Sequence, residues 1–461
     1  MILRMYLDAV LKRFVQKSPV TVMTRACLEH ALNPDELNAL FKRHAEWQYT
    51  KSLLFSSLVD LMGLVVCRIQ PSVSAAYRAM KEDLPVTLAS VYEKLDGTEA
   101  SVSAALVQHT AERFAQVIKE LGGELPPLLD GYRARVIDGN HFASTDRRLA
   151  ILRDSKAAPL PAQALVVLDP ALMLATHMIP CEDAHAQERS MLDQVLALVQ
   201  PRDLWIADRN FCTLGFLYEI QQREGFYAIR HHAGMPVVSS GELRRVGRSD
   251  TGEAFEQEAT FVTFEGAEFT VRRIVLRLDK PTQDGDREIA ILTNVPERDA
   301  GAVVIADLYL NRWTVEGLFL TMTQILDGEQ PALGYPKAAL FTFAVALVSY
   351  NLASTVRAAL RATFGHEKVE QEVSWYYVAN EVRVTHGGMD VAVDEEAWVP
   401  FQTMSAGDLA ARLKEYASNV KLDAFKRSRR GPKKPATART KHTDKPHVST
   451  GRLLARGGYK T

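Results

Sequence analysis

Arg133-Ala134-Arg135-Val136-Ile137-Asp138-Gly139-Asn140-His141 is the stretch on which the fold turns. Arg133 to Asp138 reads as an apolar strand closed by a turn-like Asp-Gly. Two further apolar runs follow it, Gln163 to Asp169 and Leu172 to Met178. Short runs of this kind, bounded by turn residues, predict three successive strands. The rhythm then changes. Ala184 to Val199 carries Met191, Leu192, Val195, Leu196 and Leu198 between polar residues, as an amphipathic helix does. Leu204 to Asp208 reads as the next strand, Thr213 to Arg223 as the next helix and Phe226 to Arg230 as a fifth strand. Strands first, then helix and strand in alternation, predict a mixed α/β sheet.

Working outward, residues 231–288 interrupt that rhythm with alternating β-branched segments such as Ala259 to Phe264 and Phe269 to Leu276, which predict an all-β insertion. Glu288 to Asn294 returns to the sheet. A long helix is expected from about Ala300, capped by Asp299, to Leu326. Upstream, apolar residues recur at helical spacing around Leu37, Leu58 and Leu106, so residues 1–127 read as an all-helical N-terminal domain, ended by Gly122-Gly123 and Pro126-Pro127. The expected division is therefore 1–127 helical, 128–230 first part of the sheet domain, 231–288 β insertion, 289–355 second part of the sheet domain, 356–420 helical and 421–461 a basic tail read as flexible.

The bulk properties fit this. With 461 residues, 47% apolar and 24% charged, the chain is long enough for two or three globular units. Cys27, Cys67, Cys181 and Cys212 are scattered without a C-x-x-C pair, so neither a disulfide framework nor a zinc knuckle is indicated. Charge at Arg4 and Asp8 breaks the apolar run a signal peptide needs, and a cytoplasmic protein is expected. Leu53–Val66 is too short to span a bilayer, and Ala338–Ser354 is interrupted by Thr342, Ser349, Tyr350 and Asn351; both read as core helices rather than membrane spans. The net charge of −1 hides an asymmetry: residues 421–461 hold 13 Lys and Arg against two Asp, so the rest of the chain is strongly acidic. A basic tail on an acidic body makes a polyanion a plausible partner, although solvated tails of this composition are common.

Asp138 and Asp208 each have an ordinary structural explanation, the first as half of a turn dipeptide and the second as a helix cap. Both, however, lie where strands of an α/β sheet deliver their carboxyl ends, the usual place for a ligand crevice. Two converging carboxylates repel unless a cation sits between them, and their oxygens are the hard ligands that Mg²⁺ and Mn²⁺ take. A third acid, Glu316, follows Tyr309 and Arg312. At about 100° per residue the three project from one helix face, while an Arg312–Glu316 pair on a solvated face is the plainer alternative. Cys181-x-Asp183-x-His185 has a metal-like spacing but reads equally as a helix start, and His141 stands close after Asp138.

Taken together, Asp138-Gly139, Ala207-Asp208-Arg209-Asn210-Phe211 and Tyr309-x2-Arg312-x3-Glu316 resemble the DDE transposases of bacterial insertion sequences, in the class named for insertion sequence 4. The resemblance covers about residues 130–355 and implies an RNase H-like mixed sheet with an all-β insertion. It implies a catalytic triad of Asp138, Asp208 and Glu316 that holds two Mg²⁺ or Mn²⁺ ions for cleavage and transfer of DNA strands. It also implies DNA phosphate binding by Tyr309, Arg312, Arg209 and Lys337, and a homodimer on double-stranded DNA in the bacterial cytoplasm. The signature lysine expected seven residues after Glu316 is Thr323, and Lys337 could substitute for it. Trp313 and Trp205 adjoin the motifs and could stack on a displaced base, or simply pack in the core. Arg427, Arg429, Arg430, Lys433 and Lys434 of the tail resemble a minor-groove arm in composition. Two other functions share these features: a DNA-binding protein of the same fold that has lost turnover, suggested by Thr323, and an RNase H-like nuclease without strand transfer.

Overall fold

The structure, a computed structural model, describes residues 2–46, 52–282, 285–310, 312–428 and 446–457; the side chains of residues 2–8, Trp313, Thr314 and Glu316 lie outside that description. Helices α1 (Ile2–Lys17), α2 (Pro19–Ala31), α3 (Pro34–His44), α4 (Phe55–Val66), α5 (Val73–Ala79), α6 (Leu88–Gly97) and α7 (Ala100–Leu121) come first. Strands β1 (Arg133–His141), β2 (Ala158–Leu160), β3 (Gln163–Asp169), β4 (Leu174–Cys181), β5 (Asp203–Ala207) and β6 (Phe226–Arg230) follow. Two helices, α8 (Leu192–Leu196) and α9 (Leu214–Gln222), flank β5 in sequence. The amphipathic segment read over 184–199 thus resolves into a 3₁₀ turn, Glu188–Met191, and the short α8.

β3 and β4 pair antiparallel with the growing sheet on one side of β1, and β5 and β6 run parallel to β1 on the other. The order β4-β3-β1-β5-β6 is that of an RNase H-like mixed sheet. The β insertion is not a separate body. Its strands β7 (Ser239–Ser240), β8 (Arg244–Ser249), β9 (Gly252–Val262) and β10 (Glu268–Leu278) pair through β11 (Glu288–Thr293) onto β6, giving one ten-stranded sheet.

Alternation along the strands sorts side chains onto two faces. Val136, Val166, Leu204, Ile206 and Ala228 join a core with the helices α4 and α12 (Pro336–Phe364). Their neighbours Ile137, Leu165, Trp205, Ala207 and Ile229 pack on the other face against α8 and α9. β3 is buried at every position because both its faces are covered. The helical lead-in is also part of this body: α7 packs on β4 and α12, and a second core joins α2 and α7 to α12, α14 (Trp375–Ala392) and α16 (Ala406–Ala417), with α13 (His366–Glu372) and α15 (Val399–Gln402) between them. At the expected boundary the chain turns tightly instead of opening a linker. Gly122 has φ 62°, and a Cβ on Gly123 would lie 2.3 Å from the carbonyl oxygen of Ala358.

The long helix expected from Ala300 to Leu326 is two, α10 (Ala302–Leu310) and α11 (Trp313–Gln324). At the junction the Arg312 N–H donates to the Tyr309 carbonyl at 3.0 Å, a tighter turn than an α-helix makes. No Gly or Pro marks that break. Asp299 precedes the helix without capping it and accepts from the Tyr132 hydroxyl at 2.6 Å.

α12 is long and apolar enough to cross a membrane, yet 89% of its most apolar stretch is buried inside the protein. The polar residue that interrupts it has a structural use. Asn351, fully buried, accepts the Ala175 N–H and donates to the Ala175 carbonyl, both at 2.8 Å, so one amide satisfies the outward peptide groups of the edge strand β4. Two parts of the tail are folded. Lys426 bridges Val373, and β12 (His447–Ser449) pairs with β2 and leads into α17 (Thr450–Arg456).

Candidate active site

In the parallel β1–β5 pair Ile137 stands opposite Ala207, so the next residues, Asp138 and Asp208, stand side by side; β5 ends at Ala207, while β1 runs on past Asp138 to His141, so Asp138 lies inside its strand and not at its end as expected. Ala207 in turn pairs with Ile229 of β6, which brings Arg230 alongside Asp208. Alternation puts Asp138, Asp208 and Arg230 on the face of Val136, Ile206 and Ala228, opposite α8 and α9. That is the face where α10 and α11 lie, with Tyr309 buried against it. The Arg312 Nη1 reaches the Asp138 Oδ2 at 3.3 Å, with the two side chains 14% and 19% exposed. Tyr309, Arg312, Asp208 and Arg230 are close enough to feel one another's charge.

Burial pushes the Asp138 carboxyl up to about 6. Arg312 and the Gly139 N–H, which donates to Asp138 Oδ1 at 3.0 Å, oppose that rise, while Glu188 and Asp208 reinforce it. Burial likewise raises the Tyr309 hydroxyl, so this phenol stays a neutral hydrogen-bonding group. A buried acid beside a second acid is stable as an anion only with a cation against it, and here the cation is a guanidinium.

Glu188 is a site residue that motif reading passed over. Gly139 is not a turn residue: it lies within β1, opposite Leu165, and a Cβ there would fall 2.0 Å from Glu188 Oε1. The missing side chain leaves room for the Glu188 carboxylate. Glu188 Oε2 accepts from Asn210 Nδ2 at 3.2 Å, and Arg189 Nε donates to the Asn210 carbonyl at 2.9 Å, so this pair holds the turn that follows Asp208. Glu329 does the same beyond Asp138, accepting from Asn140 Nδ2 at 2.9 Å and from the Ala143 N–H at 2.7 Å. Sequence offered no local signal for either, since both act across loops. Arg230 was visible only as the last residue of a predicted strand.

Glu316 belongs to α11, but its side chain, like that of Trp313, lies outside the described residues. Arg209 is exposed in the turn after Asp208, and its charge bears on Asp286. Lys337 lies at the start of α12 and faces Glu182 at the end of β4, two strands away from Asp138. The Thr323 hydroxyl folds back onto the Phe319 and Leu320 carbonyls of its own helix. Trp205 is 1% exposed in the middle of β5, so of its two readings the structure realises core packing and no base can reach it. Arg427 is tied to the body, its Nε donating to the Val373 carbonyl at 2.8 Å; Arg429, Arg430, Lys433 and Lys434 lie outside the described residues. Asp183 of the Cys181-x-Asp183-x-His185 triplet accepts from Ser449 and Arg452, anchoring α17. His141 is exposed at the end of β1.

Among the described residues no group of three or more His, Cys, Asp or Glu is gathered closely enough to hold a metal ion. The donors that do meet, Asp138 and Asp208, are carboxylates alone, which suits a hard divalent cation and not a soft one. The arrangement can therefore bind a cation at the paired oxygens and an anion at Arg312, which is paired with Asp138, while Arg230 is paired with Asp286 at 2.6 Å.

Residues 162–352 match the family model described as the transposase DDE domain. The match runs from the start of β3 into α12 and includes Asp208, Tyr309, Arg312 and Glu316, while Asp138 lies outside it. Among curated proteins, none matches the chain.

Proposed function

We propose that this protein is a DNA transposase that cuts the ends of a mobile element and joins them to target DNA, with Asp138, Asp208 and Glu316 as its catalytic acids. The observation that carries this is the adjacency of Asp138, within β1, and Asp208, just past the end of the parallel strand β5, in a sheet whose downstream part matches the transposase DDE domain. Asp138, Asp208 and Glu316 would hold two Mg²⁺ or Mn²⁺ ions, which when bound activate the attacking oxygen and stabilise the leaving one in an in-line displacement at phosphorus.

The chain's own groups do the rest. Asp138 is held between protonated and ionised states near pH 6 by burial, so it is a reluctant anion that gains most when its charge is met. Arg312 meets it now. With that charge met otherwise, the guanidinium can fork onto the non-bridging oxygens of a scissile phosphate, and Arg230 of β6, held by Asp286 at 2.6 Å, could add a second cation only by giving up that partner. The neutral Tyr309 hydroxyl, kept protonated by burial, can donate to that phosphate. Glu188 and Glu329 keep the two aspartate turns in place through Asn210 and Asn140. Work on paired ends calls for a homodimer.

The test is cleavage of duplex DNA carrying the terminal repeats that flank the coding sequence, with Mg²⁺ or Mn²⁺ and with chelator. Asp208→Asn is expected to bind those ends and fail to cut them. Cutting by that variant at the wild-type rate would remove Asp208 from the chemistry. A 3′-hydroxyl joining assay separates a transposase from a nuclease that only hydrolyses.

A further inference from the structure

Beyond His141 the chain leaves the sheet and folds into a loop that only the structure connects to the C-terminus. The Phe142 N–H bonds the Ala162 carbonyl and the Thr145 N–H the Pro159 carbonyl, so residues 142–145 continue β1 outward beside β2. β2 pairs in parallel with β12, and α17 packs on the turn Ala150–Leu152. The docking is specific. Arg452 Nε donates to both Asp183 oxygens at 3.0 and 2.8 Å, Ser449 Oγ donates to Asp183 Oδ1 at 2.9 Å, and a Cβ on Gly451 would fall 2.5 Å from the Glu182 carbonyl. Two segments some 300 residues apart in sequence thereby form one surface at the active-site end of the sheet.

That surface is basic. The loop presents Arg147, Arg148, Arg153 and Lys156, all exposed, against Asp146 and Asp154; residues 446–457 bring Arg452 and Arg456 and no acid. Arg147 is spent on bracing the loop, its Nη2 donating to the Lys156 and Ala157 carbonyls at 2.8 and 3.1 Å. Arg452 is neutralised by Asp183. Arg148 contacts Asp146 at 3.2 Å, but with side chains 62% and 51% exposed that pair contributes little and yields readily to a stronger anion. Arg148, Arg153, Lys156 and Arg456 remain as cations directed at solvent. Thr145, where this unit begins, is seven residues past Asp138, which chain reach limits to no more than about 25 Å. Duplex DNA rises about 3.4 Å per base pair on each strand, so the start of this unit lies within the length of about seven base pairs of a phosphate held at Asp138.

We propose that Arg148, Arg153, Lys156 and Arg456 form a composite surface that binds the phosphate backbone of duplex DNA beside the reacting phosphodiester, a role that rests on the DNA-cutting function above. It binds backbone and not sequence, since exposed lysine and arginine side chains meet phosphates without reading base edges.

The experiment is fluorescence anisotropy of a labelled duplex bearing one element end, titrated with the full chain at several salt concentrations. Three proteins are compared: wild type, Arg153→Gln with Arg456→Gln, and Arg412→Gln with Lys414→Gln. The last pair removes two exposed cations from α16, a helix packed on α2, α7 and α12 away from this surface. Each phosphate contact contributes about 0.9 to the slope of log K against log salt, so the first double variant is expected to lower that slope by about two while the α16 variant leaves it unchanged. Equal slopes for the wild type and the Arg153/Arg456 variant, or equal losses in both variants, would overturn the surface. Cleavage by the wild type in the same preparation keeps the two proposals apart: a wild type that neither binds nor cuts the ends refutes the function itself, while one that cuts normally with an unchanged slope in the variant refutes only this surface. Arg456→Glu with Asp183 intact supplies a second measurement, expected to weaken binding further than the glutamine change and to leave the far-ultraviolet circular dichroism unaltered.

Discussion

Asp138→Asn removes a charge that the fold holds under protest, and the size of that effect follows from its surroundings. The carboxyl is raised from the ordinary 3.8 to about 6, chiefly by burial. A displacement of roughly two pH units, at roughly 1.4 kcal/mol each, corresponds to about 3 kcal/mol. Because the folded value is the higher one, the folded state binds the proton more tightly than the unfolded chain does. Stability from this group is therefore fully present below about pH 4 and is lost as the pH rises to about 6. An asparagine carries no such loss. The contact to Arg312 strengthens as the acid ionises and is already part of this net rise, so it adds no separate pH-dependent difference. Urea denaturation of both proteins between pH 3.5 and pH 7.5, in chelator, isolates the term as a difference. The variant is expected to gain on the wild type by up to about 3 kcal/mol from pH 4 to pH 6 and then to run parallel. A difference that stays flat across that interval would refute the claim that Asp138 is a strained anion. Repeating the pH 7.5 series with added Mg²⁺ extends the comparison, since a cation that binds only the folded wild type raises its midpoint alone.

Gly139→Ala places a methyl where the Glu188 carboxylate sits, 2.0 Å from Oε1. Overpacking of this kind costs about 1–3 kcal/mol; the expected result is a lower denaturation midpoint and slower DNA cleavage, and an unchanged rate would show that Glu188 does not hold the Asp208 turn. Asn351→Ala leaves the N–H and carbonyl of Ala175 unsatisfied in a fully buried position. At about 1–3 kcal/mol for each buried orphan, a loss of roughly 2–6 kcal/mol in urea is expected, and a loss below about 1 kcal/mol would mean that the edge of β4 finds other partners.

What the sequence made legible was local. Gln163–Asp169, Leu204–Ala207 and Phe226–Arg230 are strands because each is a short β-branched or aromatic run between turn residues, and the structure has them at nearly those bounds. The end of Leu204–Ala207 places Asp208 as expected, whereas β1 runs past Asp138 to His141, so that acid lies inside its strand; that the two are neighbours depends on the β1–β5 register, which no periodicity shows. The misread features are all long-range. Residues 231–288 alternate as an all-β insertion should, but that their strands extend the sheet, through β11 onto β6, depends on pairing that alternation does not show. The break at Arg312 lacks a Gly or Pro because it is imposed by packing α10 and α11 across the strand ends. The Asp-Gly of residues 138–139 looked like a turn because its second function, clearing space for Glu188, lies on another loop.

The Asn351 amide has a consequence in time. It lies 176 residues after the peptide group of β4 that it satisfies. During synthesis at roughly 5–20 residues per second, β4 leaves the ribosome on the order of ten to thirty seconds before the helix that covers its edge. For that interval the nascent sheet shows an open row of peptide donors and acceptors to any neighbouring strand, including the same strand of another nascent chain. The last long helix of the sheet domain thus acts as the seal that ends a period of exposure to misassembly.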